Sequence, residues 1–313
     1  MPPDDTLPTA PEGALPQEPG HDAEAVATVE FSDSFEFLDA LRMLPLCEAR
    51  WVFRGHSDAN WPLAPLIERI PVRDVGYDIW AAERDTLLSF KRQAHQYLQH
   101  LPEDDNVLEW LALMRHYGAP TRLLDWTKSP YVATFFALAE AKPDKPSAIW
   151  AVDAQHLKMR AVEILSAQPA FSNLGFDAHL GSPENFGRVF LDGQLPPAAI
   201  VAPVEPIGMN ERLTLQQGLF LCSNRLYGGF YPALKETLGD TLGQEYETSQ
   251  PPLRKLVIKP EARSNLLREL QRSNISYATL FPGLDGFARS LSTRMQMRGS
   301  ADTFISLWEG HLY

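Results

Sequence analysis

Between Asp104 and Ala141 the sequence leaves the backbone few choices, and this stretch constrains the fold more than any other. "DDNVLEWLALMRHYG" sets Val107, Trp110, Leu111 and Met114 at i, i+3, i+4 and i+7, the apolar stripe of an amphipathic helix. Asn106 stands where an N-cap belongs, and Gly118, with Pro120 beyond it, stops the helix. Residues 122–126, Arg-Leu-Leu-Asp-Trp, then read as a strand. Ser129 followed by Pro130 starts a second helix, because proline at the first helical position gives up no hydrogen bond. Val132, Phe135, Phe136 and Ala139 form its buried face.

The remaining patterns fill in around this unit. Ser32 or Ser34 caps a helix carrying Phe35, Leu38 and Leu41, and residues 78–100 read as a long amphipathic helix. "WVFRG" (51–55), "SAIWAVD", "AAIVAPVEP", "LFLCS" (219–223) and "LRKLVIKP" (253–260) read as strands. "WPLAPLIERI" holds Pro62 and Pro65 and reads as irregular, while "EARSNLLRELQR" and "LDGFARSLSTRMQ" are late helices. Strands and helices mix without strict alternation or internal repeat. The expected class is therefore α+β, a mixed or antiparallel sheet flanked by several helices. Six prolines and several acids mark residues 1–24 as a disordered tail, leaving 25–313 as one domain that ends in helices.

Composition narrows the function. A net charge of −12 over 313 residues argues against a nucleic-acid footprint, which needs a basic face. Cys47 and Cys222 stand in neither metal nor redox spacing, as expected in a reducing compartment. The N-terminus shows no signal-peptide pattern, and no apolar run reaches the length of a membrane span. The expectation is a soluble cytoplasmic protein with neither membrane nor nucleic acid as a partner.

Several familiar constellations are excluded. There is no HExxH, and His95 and His100 lie five apart, on different sides of a helix, so no metal site is expected. "GHSDA" (55–59) approaches a nucleophile elbow, but Asn60, Pro62 and Pro65 spoil the helix that must follow Ser57. "YGGF" and "FPGLDG" match no phosphate loop. What remains is a set of polar residues set among apolar ones: Arg54, His116, Thr121, Arg122, Asp125, Trp126, Thr127, Ser129, Arg212, Gln216 and Gln217. Taken singly they have structural readings. Arg122 and Asp125 make a buried ion pair, Ser129 a cap, and His116 a histidine matched to a helix C-terminus. Taken together they look like a pocket.

"WVFRGHSDANWPLAPLIER", "RHYGAPTRLLDWTKSPYVATFFAL", "ERLTLQQGLFLCS" and the late "SYATLFPGLDGFA" together resemble the FRG domain, named for its Phe/Tyr-Arg-Gly motif, over roughly residues 30–290. His56 departs from the glutamine often found after Arg-Gly in that pattern. The resemblance implies a bacterial or phage-encoded protein with a toxin or defence role. The motif order is in turn similar to that of ADP-ribosyltransferases: an arginine on the first core strand, a Ser-Thr-Ser element, then an acidic loop. On that likeness Arg54, Thr127 and Gln217 are the catalytic positions and NAD is the cofactor, without a metal. His56, His116, Thr121, Arg122, Asp125, Trp126, Ser129, Arg212 and Gln216 bind the ligand, with Trp126 or Tyr131 stacking on the nicotinamide. Gln217 stands where a glutamate would, which leaves Glu211 or Asp125 as the acid. The partners implied are a nucleotide and a protein target. The alternative is a nucleotide- or protein-binding module without chemistry.

Overall fold

The computed structural model describes residues 26–43, 50–71, 78–175, 177–191, 198–208, 210–239 and 251–297. The tail read at 1–24 and Cys47 lie outside them. Seven strands form one sheet among the described residues: β1 (Ala27–Phe31), β2 (Trp51–His56), β3 (Leu123–Thr127), β4 (Ser147–Asp153), β5 (Val201–Val204), β6 (Gly218–Ser223) and β7 (Leu253–Ile258). Their spatial order is β1-β7-β4-β2-β3-β6-β5. Only β1 and β7 run parallel, so the sheet is mixed and mainly antiparallel, and the fold is α+β as expected.

The helices are α1 (Ser34–Met43), α2 (Leu66–Arg69), α3 (Ile79–Ala94), α4 (Val107–His116), α5 (Pro130–Ala139), α6 (Ala154–Ser166), α7 (Pro183–Phe186), α8 (Glu211–Leu215), α9 (Phe230–Leu238), α10 (Pro260–Arg272), α11 (Tyr277–Leu280) and α12 (Leu284–Met297). Strand alternation divides the core between the two faces of the sheet. On one face Leu123, Phe220 and Cys222 pack with α4 and α6, while Phe53, Ile149 and Leu256 pack with α1, α5 and α10. On the other, Val52, Leu124, Trp126, Trp150 and Leu221 pack with α9.

The tightly written stretch folds as its signals say. Asn106 caps α4 through its side chain, Gly118 turns the chain at φ +82°, and the Ser129 hydroxyl caps α5 by accepting from the Val132 N–H. Other boundaries move. Asp33, not a serine, caps α1, its carboxylate accepting from the N–H groups of Phe35 and Glu36. The long helix read at 78–100 ends at Ala94, and the irregular stretch after Trp61 contains the single turn of α2. That turn exists because tertiary contacts hold it. Glu68 accepts from the Phe230 N–H at the start of α9, at 3.0 Å.

The expected Arg122–Asp125 ion pair does not form. Arg122 is 1% exposed, and its guanidinium pairs with Glu83 of α3 and stacks 4.5 Å from the Trp80 ring. Asp125 pairs instead with Arg115. Residues three apart in a strand point to opposite faces, so nearness in sequence misleads here.

Candidate functional site

Asp125 is the centre of the site. It projects from β3 toward the C-terminal turn of α4, whose Arg115 donates to Asp125 Oδ2 from Nε at 2.8 Å and Nη2 at 2.6 Å. Arg115 falls four residues after Leu111 and seven after Leu108, both buried, so the helical repeat carries a charge onto the packed face. A cleft of about 160 Å³ opens here, with Arg115, His116, Asp125, Arg212 and Gln216 among its lining residues and Ala112, Leu213 and Phe220 supplying apolar wall.

Two chain reversals shape the cleft. Gly118 brings α4 round to β3. Opposite, Asn210 caps the short helix α8 and Gln217, left-handed at φ 48°, turns the chain into β6. The Thr127 hydroxyl ties these pieces together, donating to the Gln216 carbonyl at 2.7 Å and accepting from the Ser129 N–H at 3.0 Å. The Gln216 amide donates to the Leu280 carbonyl at 3.1 Å, and Arg212 stacks 4.4 Å from the Phe281 ring. Arg212 is thus positioned by an aromatic face while its N–H groups form no hydrogen bond among the described residues.

Arg54 reaches the site from the side. β2 and β3 share a single registered pair, Phe53 with Thr127. Beyond it the Asp125 carbonyl has no ladder partner on β2, and Arg54 Nη1 donates to it at 2.7 Å. The same guanidinium stands 3.8 Å from Asp125 Oδ2 and donates from Nε to His56 Nε2 at 3.2 Å. His56 is buried, and burial with the Arg54 charge lowers its pKa to about 3. Its Nε2 accepts, so the neutral ring carries its proton on Nδ1. Burial lowers the Arg54 pKa to about 10, which still leaves it charged at neutral pH. Burial works against the Asp125 carboxylate, but Arg115 and Arg54 outweigh it and hold that pKa below the usual range. Arg69, at the end of α2, feels both Arg115 and Asp125, and its buried Nε has no hydrogen-bond partner.

The expected site residues therefore separate into groups. His116, Asp125, Arg212 and Gln216 line the cleft, and Arg54 and His56 stand behind it. Thr127 and Ser129 are occupied in linking and capping. Gln217 is exposed in the turn, and Glu211 is exposed on α8. Thr121, Arg122 and Trp126 are buried, the last in the core of the opposite face, so Trp126 has no cleft ring to offer. Ser57 donates its hydroxyl to the Phe136 carbonyl. Arg69 and Arg115 are additions that the sequence reading missed.

Gly55 has a backbone reason to be glycine. A Cβ there would lie 2.2 Å from the Ala133 carbonyl oxygen and 2.5 Å from the Ala137 nitrogen, so β2 and α5 touch main chain to main chain. Phe53 fills the core beneath α5, Arg54 closes the β2–β3 gap, and Gly55 admits the helix. A family model describes this segment: the FRG domain, matched over residues 49–146. The chain carries an FRG domain. The match runs from the start of β2 to the loop before β4, so α8 and Phe220 of β6, which complete the cleft, lie outside it. No curated protein and no solved structure matches the chain. Among the described residues no helix is long and apolar enough to cross a membrane, and no group of three or more His, Cys, Asp or Glu is placed to hold a metal.

Proposed function

We propose that this cleft binds a phosphate-bearing nucleotide, with the dinucleotide NAD as the first ligand to test. One observation carries this reading. Arg54, Arg69, Arg115 and Arg212 converge on a single carboxylate, Asp125, in a chain whose net charge is −12. The local excess of cations calls for an anion, and a planar guanidinium suits phosphate oxygens in a bidentate contact. The residues present fit the diphosphate of NAD, because Arg212 offers unbonded N–H groups at the cleft wall.

ADP-ribosyl transfer in a bacterial toxin or defence effector extends the same reading. NAD would supply the ADP-ribosyl group, nicotinamide leaving as a nucleophile on the target takes its place. This chain's part would fall to Asp125, an ionised carboxylate in the cleft, since Gln217 is neutral and turned outward. Arg115 and Arg54 already balance the Asp125 charge, which favours binding over chemistry.

Calorimetric titration with NAD, ADP-ribose and pyrophosphate tests the first statement. Arg212→Ala removes no side-chain hydrogen bond among the described residues and only the stacking on Phe281, so the variant should melt close to the parent while losing about 1.5–3 kcal/mol of binding, the range for a charged hydrogen bond. Unchanged affinity in that variant, or no binding of any of the three by the parent chain, overturns the reading. Nicotinamide release on incubation with NAD separates the transferase from the binding module.

A further inference from the structure

The helix α12 is built inside out. A surface helix turns its apolar stripe to the core and its polar side to water. In α12 the buried positions are Gly286, Ser290 and Thr293, while Leu284, Phe287, Leu291 and Met295 stand 79%, 48%, 44% and 74% exposed. Their spacing of i, i+3, i+7 and i+11 makes one continuous row along the outer side. The inner face accounts for the orientation. A Cβ on Gly286 would lie 1.9 Å from the Phe281 carbonyl oxygen, so only the small-residue side of α12 can approach α11. The apolar row is therefore fixed outward, and four large apolar side chains aligned in water mark a surface that something covers.

We propose that residues 303–313 of this chain cover it. Residues 298–313, Arg-Gly-Ser-Ala-Asp-Thr-Phe-Ile-Ser-Leu-Trp-Glu-Gly-His-Leu-Tyr, continue directly from the end of α12. Gly299, Ser300 and Asp302 are turn-forming residues and allow a reversal. Beyond them Phe304, Ile305, Leu307, Trp308, Leu312 and Tyr313 supply apolar groups, with Phe304, Leu307 and Trp308 at i, i+3 and i+4. The row from Leu284 to Met295 spans roughly 16 Å at the helical rise of ~1.5 Å per residue, a length that eleven residues can follow. Asp302 and Glu309 complement Arg294, which is exposed beside the row. The short tether gives the segment an effective concentration on the order of millimolar, ahead of any outside partner.

Limited chymotrypsin digestion of the full chain tests this, cleavage at Phe304 and Trp308 being read by mass spectrometry. Leu291 is exposed and is not a lining residue of the cleft, so Leu291→Asp should fold normally. If the segment lies on α12, it resists cleavage in the parent chain and is cut about tenfold faster in Leu291→Asp, because proteolysis follows the population of the open form. Phe287→Asp should behave alike. Equal cleavage rates in parent and variants overturn the proposal. So does a parent chain that light scattering shows to be a dimer and Leu291→Asp turns into a monomer, which would assign the row to a second copy.

Discussion

Phe53, Arg54 and Gly55 show how much one tripeptide can settle. The glycine is the least replaceable. Its neighbours across the gap are the backbone of α5, which cannot yield without moving a helix that is buried on most sides. Gly55→Ala should therefore cost at or above about 3 kcal/mol, the upper range for overpacking, and a urea midpoint close to the parent's would show that β2 and α5 are not in main-chain contact. Arg54 serves structure first, its N–H groups being spent on the Asp125 carbonyl and on His56. Arg54→Lys keeps the charge but lacks the fork that serves both, so a loss of about 1.5–3 kcal/mol in the same denaturation is expected, whereas Arg212→Ala should alter binding alone. Glu83 makes a sharper case. It is the acid opposite the fully buried Arg122, and Glu83→Gln leaves that guanidinium without its counter-charge, a change that costs roughly 3–5 kcal/mol. Asp125→Asn should cost clearly less, since its side chain is 40% exposed and water can stand in for it.

Elements that carry their own start and stop signals were legible in the sequence. α4, α5, β3 and β4 came out within a residue or two because caps, a positive-φ glycine and strand composition act locally. α2 was not legible, since Pro62 and Pro65 argue against a helix and its support arrives from α9, far along the chain. α12 had a readable period, but the period does not say which way the stripe faces; Gly286 decides that. The cleft was half legible for the same reason. His116, Asp125, Arg212 and Gln216 stood out as polar residues among apolar ones, while Arg69 belonged to a stretch read as irregular and Arg115 was hidden beside His116. Thr127 looked like a ligand contact and is a joint between elements. Thr127→Val removes one hydroxyl that holds the end of β3, the α8–β6 turn and the start of α5 together. It leaves the Gln216 carbonyl without its donor, so a loss of about 1–3 kcal/mol is expected, with ligand affinity falling further because Arg212 and Gln216 ride on that turn. Parent-like stability together with parent-like affinity would show that the turn holds without the hydroxyl.

The whole molecule is acidic, yet its stability should not simply rise with pH, because two buried groups pull in opposite directions. Burial lowers the His56 pKa to about 3, so the fold favours the neutral ring; that stability is complete above the ordinary histidine value of 6.5 and drains away as the pH falls toward 3. Asp125, His116 and His156 are likewise lowered and steepen the same acid limb. Glu68 acts the other way. Burial raises its pKa to about 7 against an ordinary 4.5, and the Phe230 N–H only partly offsets this. Between those values the native state binds a proton that the unfolded chain has released, so stability falls as the pH rises from 4.5 to 7 and is flat with respect to this group above that. The two slopes oppose each other between about 4.5 and 6.5, giving a broad maximum there, a fall on the acid side, and a smaller fall near neutrality that Glu68 carries alone. Glu68→Gln holds the side chain neutral at every pH. In urea titrations from pH 4 to 8 the variant should lose the fall near neutrality and keep the acid limb, and it should exceed the parent's stability at pH 8, where the parent must keep a charge buried between α2 and α9. Parallel curves for the two proteins would mean that Glu68 is ionised in the fold across the whole range and that water reaches its carboxylate.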